Sequence, residues 1–340
     1  MEVKKYKVIS LFSGAGGLDL GFRGGFEFLG RWYERLPFEI ALAVDVDPKA
    51  VDTYNANLDP VCVLKDAFSL ELETLPKADV VIGGFPCQDF SVAGKRMGLE
   101  AERGRLYLAM VRVVDWVQPA IFVAENVFGL VSANDGKALE IIKGDFEMAG
   151  IGYRVFSKVL DAADYGVPQR RKRLFIVGVR SDIERDFEFP TPTHASPNLA
   201  SVLGLQKWVT AREALKDLED ENVLASLPNH EYSKAKLTRG QGNKPIKPDA
   251  PSPTIRAEHH GNVEFHYFLP RRLSVRECAR LQSFPDDFVF KAPMTSAYRL
   301  VGNAVPPVLA WHLAKAVASF FEKNAPTSAP SILSSAKGAS

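Results

Sequence analysis

The chain reads as an α/β protein built on a doubly wound, mostly parallel sheet, with a second, smaller domain. Three observations support this. Short runs that are apolar on both faces alternate with helix-period segments through the first half of the sequence. The ends of those runs carry glycine or carboxylate residues, and in such sheets ligands bind beyond the carboxyl ends of the strands. After Arg180 the texture changes, as proline and polar residues break up the periodicity.

Taken in order, "YKVISLF" forms strand one. "LFSGAGGLDLGF" (Leu11 to Phe22) then supplies a glycine turn and the start of a helix. A lengthened connection containing "GRWYERLPFE", read as a surface insertion, leads to strand two, "FEIALAV". Strand three is "VCVL" and strand four "ADVVIGG", which runs directly into "VVIGGFPCQDFS" (Val80 to Ser91). The apolar positions of "GRLYLAMVRVVDWV" suit a buried helix before strand five, "AIFVAEN". "RVFSKVL" and "RLFIVGV" close the series. Residues 1–182 are expected to form the cofactor-binding and catalytic domain, completed by 295–322. Residues 183–294 form the smaller domain and hinge, with Trp208, Leu215, Ile255, Phe265 and Phe268 as its modest core. "LSVREC" starts a helix with Ser274 as N-cap and Glu277 three residues on. "PPVLAWHLAKAVASFF" is a closing helix with its prolines at the tolerated end. Residues 323–340 have the composition of a disordered tail.

Composition narrows the class. The 340 residues carry 42 Lys and Arg against 41 Asp and Glu, so net charge alone does not mark a nucleic-acid binder. The basic runs "QRRKR" and "RRLSVRECAR" are of a kind that ordinarily forms solvated faces. No apolar run reaches the roughly 18 residues of a membrane span, and the N-terminus lacks a signal-peptide core. Three widely spaced cysteines suggest neither a disulfide framework nor a metal site, which fits a reducing cytoplasm. Six histidines without ligand spacing leave no metal expected.

Four positions carry chemistry. Pro86 restrains the backbone just before Cys87, which is either a small residue packed at a strand end or a nucleophile on a stiffened loop. Asp45, ending strand two, is placed to accept from ribose hydroxyls, or else caps the next helix. Asp66, after strand three, can accept from an adenine amino group. The glycine turn departs from G-x-G-x-x-G, so an adenosyl ligand without a pyrophosphate fits better than NAD. Glu125 ends strand five on the same rim as Cys87. It is either a general acid kept protonated by burial or a structural carboxylate paired with Arg171 or Arg173. Cys62 and Cys278 lie in apolar contexts and are read as core.

Together these residues resemble the DNA (cytosine-5) methyltransferases that use S-adenosylmethionine. "FSGAGG" is similar to the family's cofactor loop and "GGFPCQDFSVAGK" to its nucleophile loop. "AENV" resembles the ENV motif, "DYGVPQRRKRLFIVG" the QRRxR motif and "YRLVGNAVPP" the closing GN motif. "RRLSVRECARLQSFPDDF" resembles the segment beside the recognition region. The order is the family's usual one, and the resemblance extends to about Phe320. It implies a class I, Rossmann-like S-adenosylmethionine-dependent methyltransferase fold with a target-recognition domain.

The resemblance also implies roles. Cys87 is the thiolate that adds to cytosine carbon 6, Glu125 holds or protonates ring nitrogen 3, and Arg173 braces the base with Arg171 beside it. Phe12, Gly14, Ala15, Gly17, Leu18, Asp45, Val46, Asp66, Ala67, Pro86, Leu106, Asn303 and Ala304 match positions lining the cofactor pocket. Asp45 stands where glutamate is usual, and Ala304 where serine is frequent. For DNA, Gln88 and Ser91 lie on the nucleophile loop and Thr254 resembles a backbone contact. Arg239, Gln241, Arg256, His259 and His260 are candidate base readers. The implied partner is double-stranded DNA with the target base flipped out. The expected enzyme is a monomer and the modification enzyme of a restriction-modification system. A branch that methylates transfer RNA carries a Cys-Phe-Thr signature, which is missing here. A binding module without chemistry would be expected to have lost Cys87, Glu125 or Arg173.

Overall fold

A computed structural model describes residues 4–86, 106–234, 244–257 and 264–323. Seven strands form one sheet: β1 (Tyr6–Leu11), β2 (Phe38–Asp45), β3 (Cys62–Leu64), β4 (Val80–Gly83), β5 (Ile121–Val127), β6 (Tyr153–Asp161) and β7 (Lys172–Arg180). Their order is β3-β2-β1-β4-β5-β7-β6. All pairings from β3 to β5 are parallel, while β7 runs antiparallel to both of its neighbours. This is the sheet of the class I S-adenosylmethionine-dependent methyltransferases, and the reversal of β7 is what makes it mostly rather than wholly parallel.

Alternation along the strands sends neighbouring residues to opposite faces. On one face Ile9, Leu11, Val81, Phe122 and Ile176 pack under α3 (Leu106–Val117) and α4 (Lys137–Glu147). On the other, Val8, Val80, Ile82, Ile121 and Val177 join a core that takes in α1 (Gly17–Arg23) and α2 (Pro48–Asn57). The same core continues into the second half of the chain. There the short helices α5 (Pro197–Leu203), α6 (Ala211–Leu215) and α7 (Glu221–Ala225) precede α8 (Val275–Leu281), α9 (Met294–Asn303) and α10 (Pro307–Glu322).

The helix ends follow from their sequences. Ser274 accepts from the Glu277 backbone N–H at 3.1 Å, and the Glu277 side chain accepts from the Ser274 N–H at 2.6 Å. Pro307 occupies the first turn of α10, where its missing N–H costs nothing. The stretch Met294–Glu322 is long and apolar enough by composition to cross a membrane, but 83% of that window is buried within the fold. It is a core element.

Three sequence expectations need correction. Phe268 is 74% exposed and does not join the core that Leu215, Ile255 and Phe265 enter, because the turn at His266 directs it outward. The insertion is only partly a surface feature. Its ribbon, Phe26–Phe28 paired with Arg31–Tyr33, exposes Trp32 but buries Tyr33 against Trp311. The two basic runs are solvated only in part: Arg170 and Lys172 are exposed, but Gln169, Arg171, Arg173, Arg271, Arg272, Arg276 and Arg280 are buried. Cys62 and Cys278 are buried, as read. The tail from residue 324 lies outside the described residues.

Candidate active site

The rim above the carboxyl ends of β1, β2 and β4 is assembled from backbone. Phe12 and Gly14 both take left-handed φ values, +54° and +56°. Nothing lies within 4 Å of the place where a Cβ on Gly14 would stand, so the turn opens onto free space. Ser13 Oγ donates toward the Val44 carbonyl and accepts the Val44 N–H, tying the ends of β1 and β2 together. Asp45 accepts the Gly14 N–H through one oxygen and the Asp47 N–H through the other, each at 2.8 Å. Burial holds its carboxyl above the ordinary carboxylate range, with these bonds and the nearby Asp47 acting against and with that trend. Asp66 caps a short helical turn through the Phe68 N–H and is exposed.

A neighbouring group forms at the ends of β4, β5 and β7. Glu125 and Arg173 are both buried, and Arg173 Nε lies 2.9 Å from Glu125 Oε1. Burial raises the Glu125 pKa, while Arg173 and then Arg171 oppose the rise. A Cβ on Gly84 would sit 3.1 Å from Glu125 Oε2, so a larger residue there would press on the carboxylate and push it a few tenths of an ångström aside. Asn126 reaches back to donate to the Phe85 carbonyl at 3.0 Å, tying the ends of β4 and β5 together. Cys87, Gln88 and Ser91 lie outside the described residues, as do Arg239, Gln241, His259 and His260.

Arg171 and Arg173 diverge. Arg173 turns to the carboxylate, whereas Arg171 is fully buried and donates to the Ile255 carbonyl at 2.9 Å and the Gly302 carbonyl at 2.7 Å. Gln169 extends this joint. Its amide donates to Leu281 O and Gln282 Oε1 and accepts the Ile255 N–H, and Gln282 donates onward to the Ala304 carbonyl. The QRRKR turn therefore binds together the segment 252–255, the end of α8 and the GN turn carrying Asn303 and Ala304. Thr254 Oγ donates to the Arg170 carbonyl at 2.7 Å, and Arg256 is exposed. Asp161, at the end of β6, receives Arg170 Nε and the Arg171 N–H. Gln169, Gln282 and Asp161 were not singled out from sequence. Gln169, Gln282 and Asn126 lay inside quoted motifs, but nothing in the spacing points to Asp161.

The C-5 cytosine-specific DNA methylase family profile matches residues 6–319, most of the chain. The chain belongs to this family. It is 38% identical to the Type II methyltransferase M.NgoFVII of Neisseria gonorrhoeae, over 94% of this chain and 88% of that protein. It is also 38% identical to M.FnuDI of Fusobacterium nucleatum, over 92% and 94%. Among solved structures, the S. pombe Dnmt2 methyltransferase superposes with a TM-score of 0.65 at 18% identity, covering 95% of this chain and all of that one. That likeness concerns the fold alone.

The protein is thus a DNA cytosine-5 methyltransferase, of a family and fold that use S-adenosylmethionine. The rim residues fit that group. The open space over Gly14 admits it, and the Asp45 and Asp66 oxygens retain acceptor capacity for hydroxyl and amino donors. A larger cleft of about 1310 Å³ lies elsewhere, between the ribbon and residues 285–288. None of Gly14, Asp45, Glu125 and Arg173 lines it, so it is separate from the site described above.

Proposed function

We propose that this methyltransferase modifies one cytosine within a specific duplex sequence, as the modification enzyme of a restriction-modification system, with Cys87 as nucleophile. The observation that carries the site reading is the buried Glu125–Arg173 pair beside Gly84, three residues before Cys87. In this reading, residues 1–182 with 295–322 form the catalytic domain, and 183–294 hold the target. The enzyme acts as a monomer on cytoplasmic DNA.

Phe12, Gly14, Ala15, Gly17, Leu18, Asp45, Val46, Asp66, Ala67, Pro86, Leu106, Asn303 and Ala304 hold S-adenosylmethionine, with Asp45 on the ribose and Asp66 on the adenine. That cofactor supplies an electrophilic methyl group. The target cytosine is swung out of the helix, since a thiol cannot reach carbon 6 inside the stack. The Cys87 thiolate bonds to carbon 6, and the electrons of the 5,6 double bond make carbon 5 nucleophilic. Glu125, kept protonated to higher pH by burial, donates at ring nitrogen 3 and stabilises the charge that develops there. Arg173 fixes that carboxyl. Arg171 acts through the backbone of 255 and 302 as a positioning residue. Once carbon 5 carries the methyl, loss of its proton expels the thiolate and restores the ring.

Labelled methyl groups from S-adenosylmethionine should enter double-stranded DNA, and Cys87→Ser should abolish the labelling. Bisulfite sequencing of DNA from a host expressing the protein then identifies the target. Absence of label in any mixed-sequence DNA would overturn the reading. Preferential labelling of transfer RNA would redirect it.

A further inference from the structure

Beside the Glu125–Arg173 pair lies a pocket of about 400 Å³ with an unusual wall. Phe128, the residue directly after the ENV motif, projects into it and is 48% exposed. Val127, also exposed, faces Arg173 across the β5–β7 pairing. Opposite the ring stands Lys172, its ammonium 5.5 Å from the ring centroid. Arg170 completes the wall, held at 2.7 Å by Asp161 and stacked at 4.2 Å over Trp208, whose indole N–H is bound by Asp164. Arg170 is therefore a cation fixed in one orientation, and Lys172 is an exposed one set over the Phe128 ring on the same rim.

The exposed ring thus meets Lys172 and Arg170 on one rim, with the Asp161 carboxylate that holds Arg170 in the same wall. Exposing a phenylalanine gains nothing in stability. The combination suits a nucleotide, whose phosphate takes the cations and whose base or sugar takes the ring. The Thr254 hydroxyl proton is engaged by the Arg170 carbonyl, so Thr254 sets the position of Arg170 and leaves the phosphate to the cations. Arg173 lines the pocket and also pairs with Glu125, which sets the pocket directly beside the proposed base site.

We propose that Phe128 and Lys172, with Arg170, form a seat for a nucleotide adjoining the target, and that Phe128 packs against it to hold the flipped state open. The inference rests on the DNA methyltransferase reading and deepens it. Apolar side chains set against a disturbed base step are a recurring means of stabilising distorted DNA.

The test uses the full-length enzyme and two duplexes bearing the site found by bisulfite sequencing, one paired and one with an abasic site opposite the target cytosine. Phe128→Ala should lower kcat/KM on the paired duplex roughly tenfold or more, the scale of one lost base–aromatic contact. On the abasic duplex, where unpairing is already done, the loss should shrink to about threefold or less. Phe128→Leu should recover part of the paired-duplex activity. Lys172→Ala should reduce the slope of log binding constant against log salt by about one. Thermal midpoint and S-adenosylmethionine affinity should match wild type in all three. Equal losses on both duplexes, or none, would overturn the seat. Should Phe128→Ala fail to fold, an unchanged salt slope for Lys172→Ala would do the same. A wild type that methylates neither duplex would instead overturn the methyltransferase reading beneath it.

Discussion

At Glu125 burial and charge pull in opposite directions. Removal from water favours the neutral carboxyl, and two arginines favour the carboxylate; the balance leaves its pKa raised. A donor to a ring nitrogen needs that proton, so the pocket's dryness serves the chemistry as well as the packing. Asp19, beneath the cofactor loop, shows burial acting more strongly. It is fully buried, and desolvation raises its carboxyl from 3.8 to about 6, against bonds from Ser10 and Tyr54. Because the folded value exceeds the unfolded one, the stability linked to this proton is complete below about pH 3.8 and is lost as pH rises through 6. Asp19→Asn keeps an acceptor for Tyr54 and removes the titration. It should stabilise the protein by up to about 3 kcal/mol at pH 8 and hardly at all at pH 4, measured by denaturant unfolding at both. An equal gain at the two pH values would discount the carboxyl as the source. In the sequence, residue 19 is only one position of the quoted glycine turn and helix start; that its carboxyl is fully buried follows from α1 lying between the sheet and α10.

Among elements, contacts made through glycine join the site to the rest of the fold. α1 lies so near α10 that a Cβ on Gly21 would stand 2.3 Å from the Ala310 Cβ. In α9, a Cβ on Gly302 would fall 2.4 Å from the Ala257 nitrogen and the Arg256 carbonyl. The same glycine's carbonyl receives Arg171, which also holds Ile255. Gly302→Ala must therefore push residues 255–257 away from the GN turn. We expect a cost of about 1–3 kcal/mol in unfolding free energy and a raised KM for DNA, read by denaturation and steady-state methylation. Destabilisation without any change in KM would mean that this contact serves packing alone. Helices, caps and strand runs were legible from periodicity and end signals, which are local. The placement of β7 between β5 and β6 was not, since strand order depends on pairing between distant segments.

For the molecule as a whole, Arg271, Arg272, Arg276 and Arg280 behave as interior scaffolding. Arg276 is wholly buried and donates to the carbonyls of Pro228, Pro285 and Phe288, at 3.0, 2.9 and 2.5 Å. Burial lowers its pKa to about 10, which still leaves it charged near neutrality. Arg271 makes a two-pronged pair with Glu277, and Arg280 holds Asp217 and Asp286. Arg276→Met would take the guanidinium donors from the carbonyls of Pro228, Pro285 and Phe288, of which Pro285 keeps the Phe288 N–H. It should lower unfolding free energy by about 3 kcal/mol or more, seen as a depressed thermal midpoint. A neutral result would show that water or neighbouring groups can replace the guanidinium. By its motifs alone, the sequence determined the family, the sheet class and the residue types of the reaction, because close backbone approach, a thiol and a strand-end carboxyl are each written locally. Only the tertiary structure decided which arginine meets Glu125 and which arginines form the interior, and it alone set Phe128 beside Lys172. Those pairings arise where chain segments far apart in sequence meet, and a charge run reads the same in one dimension whether it will face water or a row of carbonyls.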